Sequence, residues 1–94
     1  MNELEIILSD FCNDIKNTFP EKKETVEGYK IDYLVTYCKD IFTKKTLEIV
    51  YKNEKIFTDE CYLLPEIDFS ELWNSNITDE TKDVIWKYLQ LILF

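Results

Sequence analysis

From the N-terminus, Leu4, Ile7, Leu8, Phe11, Cys12, Ile15 and Phe19 recur at steps of three and four. That spacing gathers them on one face of an amphipathic helix over 3–19, with Ser9, Asp10, Asn13, Asp14 and Asn17 on the other. Pro20 disfavours helix at Phe19 and ends the element. The stretch EKKETVEG (21–28) has no regular period and holds the single glycine, Gly28, so it reads as a connection with room for a short helical turn. In YKIDYLVTYCKDIF, the residues Ile31, Leu34, Val35, Cys38, Ile41 and Phe42 share a face and predict a second helix over 29–41. Leu47, Val50 and Tyr51 carry a third over 43–53, before a break at Asn53. LEIVY is also strand-compatible, but its flanks look helical, and helix is the reading adopted. Residues 59–76 are the least regular. Pro65 divides them, and Asp68 caps a helical turn at 68–73 that packs Phe69, Leu72 and Trp73 over the other helices.

The last helix, over 78–94, begins cleanly. Thr78 is a good N-cap, and Asp79, Glu80 and Asp83 complement the positive helix terminus. Asp83, Lys87 and Gln90 then form one narrow polar stripe, with Asp83 and Lys87 a favourable i,i+4 pair. Val84, Ile85, Trp86, Tyr88, Leu89, Leu91, Ile92 and Leu93 fill the rest of the circumference. A helix so apolar is surrounded by protein. The next position on the polar stripe is Phe94, where the sequence stops. Either this end is covered by a partner, or 1–94 is the N-terminal part of a longer chain.

Composition narrows the class. Hydrophobic residues make up 46% of the 94 positions and aromatics 15%, enough for one packed core. One Gly and two Pro are few chain breakers, which favours helices over a turn-rich β-sandwich. The expectation is a single all-α domain: a small bundle of four main helices plus the turn at 68–73. Its predicted core is Phe11, Ile15, Leu34, Cys38, Leu47, Val50, Phe69, Trp73, Ile85, Leu89 and Ile92.

Charge narrows the chemistry. The net charge is −8, with neither Arg nor His in the chain. Without Arg, the bidentate recognition of phosphates and base edges loses its usual donor, so no direct nucleic-acid binding is expected. Without His there is no Ser–His or Cys–His pair and no simple proton shuttle near neutral pH. Residues 16–55 carry nine Lys against seven acids, whereas 59–83 carry eight acids against Lys82 alone. The acidic stretch is a solvated face, or a docking surface for a basic partner. Its candidate residues are Asp59, Glu60, Glu66, Glu71, Asp79 and Glu80.

Cys12, Cys38 and Cys61 lie far apart, form no C-x-x-C, and lack a His to complete a zinc site. They read as buried free thiols in a reducing compartment. One Gly rules out a Gly-rich phosphate loop, and the EF-hand pattern is absent. Asn76-Ile77-Thr78 is a formal glycosylation sequon, read as a chance triplet because Thr78 already caps a helix. The start MNELEIILSDF lacks the basic region of a secretory signal, and no apolar run reaches the roughly 20 residues of a membrane span. No catalytic residue, metal ligand or cofactor is expected. Metal or acid–base work by the carboxylates of 59–83 is the competing enzyme reading.

Five stretches read together carry a resemblance: FCNDIKNTFPE (11–21), YCKDIF (37–42), EIVYKNEKIF (48–57), LLPEIDFSELW (63–73) and ITDETKDVIWKYLQLILF (77–94). In this order they resemble uncharacterised proteins of the nucleocytoplasmic large DNA viruses, the giant-virus and algal-virus group. The last stretch is the most specific. The resemblance implies a viral protein of the host cytoplasm or the virion, with relatives that continue past the position of Phe94. It implies no activity and no catalytic residues. Glu66 departs from it, since a small residue such as Gly is expected after the proline.

The functional expectation is therefore a non-enzymatic interaction or structural module. It binds a protein partner, or a second copy of itself, through the C-terminal helix, and does not bind a membrane. An acidic mimic that sequesters a basic nucleic-acid-binding protein is the alternative. Trp86 and Leu93 lie offset from the Ile85/Leu89/Ile92 line and, with Phe94, form the predicted interface. The counter-expectation is that 68–73 folds back and covers them.

Overall fold

The computed structural model describes residues 2–93. Asn2 opens the first helix, α1 (Glu3–Thr18), by accepting the Glu5 N–H on its side chain at 2.9 Å. Pro20 follows and starts a short 3₁₀ turn, Pro20–Lys22, which runs into α2 (Lys23–Glu27). The second long helix, α3 (Ile31–Lys44), ends where Lys45 leaves helical geometry, and α4 (Thr46–Val50) is a separate short helix. A second 3₁₀ turn spans Glu54–Phe57, and α5 (Phe69–Asn74) and α6 (Asp79–Leu93) complete the chain. Among the described residues there is no strand, only an isolated bridge between Leu64 and Ile67. The fold is a small all-α bundle, as the periodicity implies.

Three long helices share the core. Leu8, Phe11, Cys12 and Ile15 enter from α1, Leu34, Cys38 and Phe42 from α3, and Ile85, Leu89 and Ile92 from α6. Each fully buried Leu or Phe contributes about 1.5–3 kcal/mol of transfer free energy. The predicted caps hold. Thr78 accepts the Thr81 N–H at 3.1 Å, and Asp68 accepts the Ser70 N–H at 3.0 Å.

The third predicted helix needs correction. It is shorter than 43–53, and its apolar face is reversed. Leu47 is 69% exposed and Val50 is also exposed, whereas Ile49 is fully buried. Thr43 and Lys44 belong to α3. Thr46 then turns its hydroxyl back to the Phe42 and Thr43 carbonyls at 3.2 and 3.0 Å, a local bond that competes with continuing the helix. The far end of α4 is closed by two backbone bonds, Lys52 N–H to the Ile49 carbonyl and Asn53 N–H to the Glu48 carbonyl. This is a Schellman motif, and it places Lys52 in the left-handed region at φ 50°, where glycine is usual.

The irregular stretch is buried. Cys61, Leu63, Leu64, Pro65 and Ile67 all lie inside. A loop can be buried only if its backbone polar groups find partners. Here they come from side chains. Tyr29 donates its hydroxyl to the Pro65 carbonyl, Tyr37 to the Tyr62 carbonyl, and the Cys38 thiol points at the Leu63 carbonyl at 3.8 Å. Cys61 closes the loop's base: its N–H binds Asp68 Oδ1 at 2.9 Å and its carbonyl accepts the Phe69 N–H at 2.7 Å. Within the loop, Pro65 and Glu66 form a tight turn closed by the Ile67 N–H on the Leu64 carbonyl at 3.2 Å. Glu66 sits there at φ 64°. The position where a small residue was expected is thus one that favours glycine.

Candidate interaction surface

The expected interface on α6 is displaced around the helix. Trp86 is not on the surface. It is 5% exposed and lies beneath Trp73 of α5 and Phe57 of the second 3₁₀ turn, at centroid distances of 5.5 and 5.4 Å. Phe57 and Trp73 themselves stack at 4.2 Å, so the three rings form one aromatic block. The fold-back of 68–73 covers Trp86, as the counter-expectation had it. Leu93 is half-buried against the core and lines a depression with Leu4, Cys38 and Phe42. Phe94 lies outside the described residues.

The apolar side chains that α6 does present are Val84 and Leu91, seven residues apart and hence on one face. Gln90, expected on the outer stripe with Asp83 and Lys87, is instead half-buried. Its amide reaches across to α4 and donates to the Ile49 carbonyl at 3.2 Å and the Val50 carbonyl at 3.5 Å. These are carbonyls at the end of α4; that of Ile49 also takes the Lys52 N–H, and the amide adds a second bond. The bond joins α4 to α6 on the side where Ile49 is inward and Leu47, Val50 and Tyr51 are outward. Beside it, Lys52, Asp83, Lys87, Gln90 and Leu91 line a shallow depression of about 300 Å³. The outer sides of α4 and α6 therefore combine exposed apolar residues with both signs of charge.

All six acidic candidates, Asp59, Glu60, Glu66, Glu71, Asp79 and Glu80, are exposed. The two ion pairs among the described residues, Lys16–Glu27 and Lys44–Asp40, involve none of them. They do not converge on one point. The charge of Glu60, then desolvation and the charges of Asp68 and Glu71, push the Tyr62 hydroxyl above its ordinary range. Glu66 stands at the buried turn, and Glu80 stands across a groove from Asp14. Asp68, the remaining carboxylate between Glu66 and Glu71, is structural. Its burial disfavours the charge, but bonds from the Cys61 N–H and from the Ser70 hydroxyl and N–H outweigh that and lower its pKa.

The thiols are buried and unpaired as disulfides. Burial pushes Cys12 and Cys61 up to about 11 and Cys38 to about 12, far from the thiolate a nucleophile needs. Among the described residues, no group of three or more Cys, Asp or Glu side chains has the arrangement of a metal site. Among the described residues, no helix is long and apolar enough to cross a membrane.

Sequence reasoning missed the pairing of Tyr88 with Asp14. Tyr88 donates to Asp14 Oδ2 at 2.7 Å and stacks on Phe11 at 5.1 Å. That bond, followed by desolvation and the charges of Asp14 and Asp10, pushes the Tyr88 hydroxyl up to about 12. No family model matches this chain, and neither a curated protein nor a solved structure is similar to it.

Proposed function

We propose that the chain is a non-enzymatic interaction module of a large DNA virus, acting in the host cytoplasm or in the virion. Its docking face is the outer side of α4 and α6. The observation that carries this reading is the outward set Leu47, Val50, Tyr51 and Leu91 on two helices bound to each other by Gln90. Exposed apolar residues grouped in this way mark protein interfaces. The viral part of the reading rests on the sequence resemblance alone.

Sedimentation velocity at rising protein concentration tests the second-copy form. Self-association through an apolar face should persist in high salt, because salt screens the repulsion between copies of net charge −8. Leu47→Glu and Leu91→Glu should abolish it without loss of helicity. A wild-type chain that stays monomeric throughout removes the second copy, and leaves a different protein to be sought on this face.

The acidic mimic is a second reading, favoured by six exposed carboxylates outside any observed ion pair. Pull-down from infected-cell lysate separates the two, since charge-driven capture weakens with salt and apolar docking does not. Calorimetric titration with Mn²⁺ or Mg²⁺ addresses the enzyme alternative, which tight stoichiometric binding would favour.

A further inference from the structure

The groove between α1 and α6 combines features that the α4–α6 face lacks. It encloses about 250 Å³. Ile15 and Phe19 line one side and Val84 and Ile85 the other, among polar groups. Val84 is exposed although the other three are buried, so its side chain is open to an occupant. At the rim stand two carboxylates, Asp14 and Glu80, and two hydroxyls, Thr18 and Thr81. No Lys lines it, in a chain with eleven. Tyr88 holds Asp14 Oδ2 and presents an aromatic ring backed by Phe11.

We propose that this groove seats a lysine side chain presented by a basic partner protein. The inference rests on reading the chain as an interaction module, and gives one contact of that module its chemistry. A lysine buries an aliphatic stem along apolar walls while its ammonium stays at the rim. There the ammonium offers three donors, and the rim supplies carboxylate and hydroxyl acceptors. The Tyr88 ring adds attraction for a cation. An anion would face two carboxylates with no Lys to offset them. A neutral apolar group would fill the walls and leave the rim unused.

The test is a heteronuclear NMR titration with capped Ala-Lys-Ala, alongside capped Ala-Norleucine-Ala, which keeps the stem and lacks the ammonium. The expected result is saturable shifts confined to Thr18, Thr81, Val84 and Tyr88 for the lysine peptide, and none for norleucine. Glu80→Gln should weaken binding about threefold, the scale of one exposed ion pair. Glu80 is exposed in the first turn of α6, and circular dichroism checks that the variant stays folded. Free butylammonium binding as well as the peptide would overturn the protein-segment assignment. Shifts scattered equally over Asp59, Glu60 and Glu71, or equal binding of norleucine, would overturn the site itself. None of these outcomes depends on Leu47 or Leu91, so failure here is separate from failure of the α4–α6 face.

Discussion

Trp73 and Trp86 meet edge to face, with ring centroids 5.5 Å apart, and so join α5 to α6. Phe57 stacks on the first and abuts the second. Lys82 lies 5.2 Å over the Trp73 ring and covers it from solvent. The block makes Trp86 a core residue. Trp86→Ala should cost about 3–5 kcal/mol, and Trp86→Glu should abolish the cooperative thermal transition. Leu91→Glu, on the exposed side of the same helix, should leave the melting temperature within a few degrees of wild type. Circular dichroism melts of the three variants check this.

Among the described residues, two that are not glycine hold left-handed backbone, Lys52 at φ 50° and Glu66 at φ 64°. The left-handed region costs an ordinary residue about 1–2 kcal/mol, and glycine's greater freedom in the unfolded chain returns part of the gain. Lys52→Gly and Glu66→Gly should each stabilise the fold by about 0.5–1 kcal/mol. The urea midpoint should rise with the slope unchanged, and the two effects should add.

Asp68 gives a pH signature. Its pKa is lower in the folded chain than its ordinary 3.8. The stabilisation from its ionised form is therefore complete above about pH 5, and is lost as pH falls through 3.8 toward the folded value. Asp68→Ala should cost about 2 kcal/mol near neutrality, as a lost cap that also frees the Cys61 N–H. The gap between wild type and variant should narrow in urea titrations below pH 4.

Thiol labelling reports opening. With Cys12, Cys38 and Cys61 buried and their pKa values near 11, 12 and 11, native protein at pH 8 should react far more slowly than urea-unfolded protein. The labelling rate should track global stability across the variants above. A thiol that reacts quickly in the folded chain would show local opening at that site.

The long helices were legible because periodicity acts through many residues at once. In α1 the series from Leu4 to Phe19 runs the length of the helix: Leu8, Phe11, Cys12, Ile15 and Phe19 are buried, and Leu4 and Ile7 are half-buried. In α4 the pattern is five residues long, and Leu47, Ile49 and Val50 allow more than one inward face. The choice is made by packing against the rest of the core, where Ile49 is fully buried, and Gln90 of another helix bonds the same end. The same limit explains Trp86. A helix apolar around most of its surface announces burial but not what covers each side, and the cover here comes from Phe57 and Trp73. The acidic residues were legible as exposed. The groove was not, because Asp14 and Glu80 become neighbours only when α1 and α6 pack.

The stretch from Cys61 to Ile67 has a practical consequence. Irregular segments are usually where a protease nicks a domain and where insertions are tolerated. Here the segment's carbonyls are held by Tyr29, Tyr37 and Cys38, partners 36, 25 and 25 residues distant along the chain. Cleavage or insertion after Leu63 would therefore take acceptor carbonyls away from Tyr29, Tyr37 and Cys38, donors fixed elsewhere in the fold. The stretch that looks most like a linker should be the worst place to divide this protein. A split made there should give two fragments that fold only together.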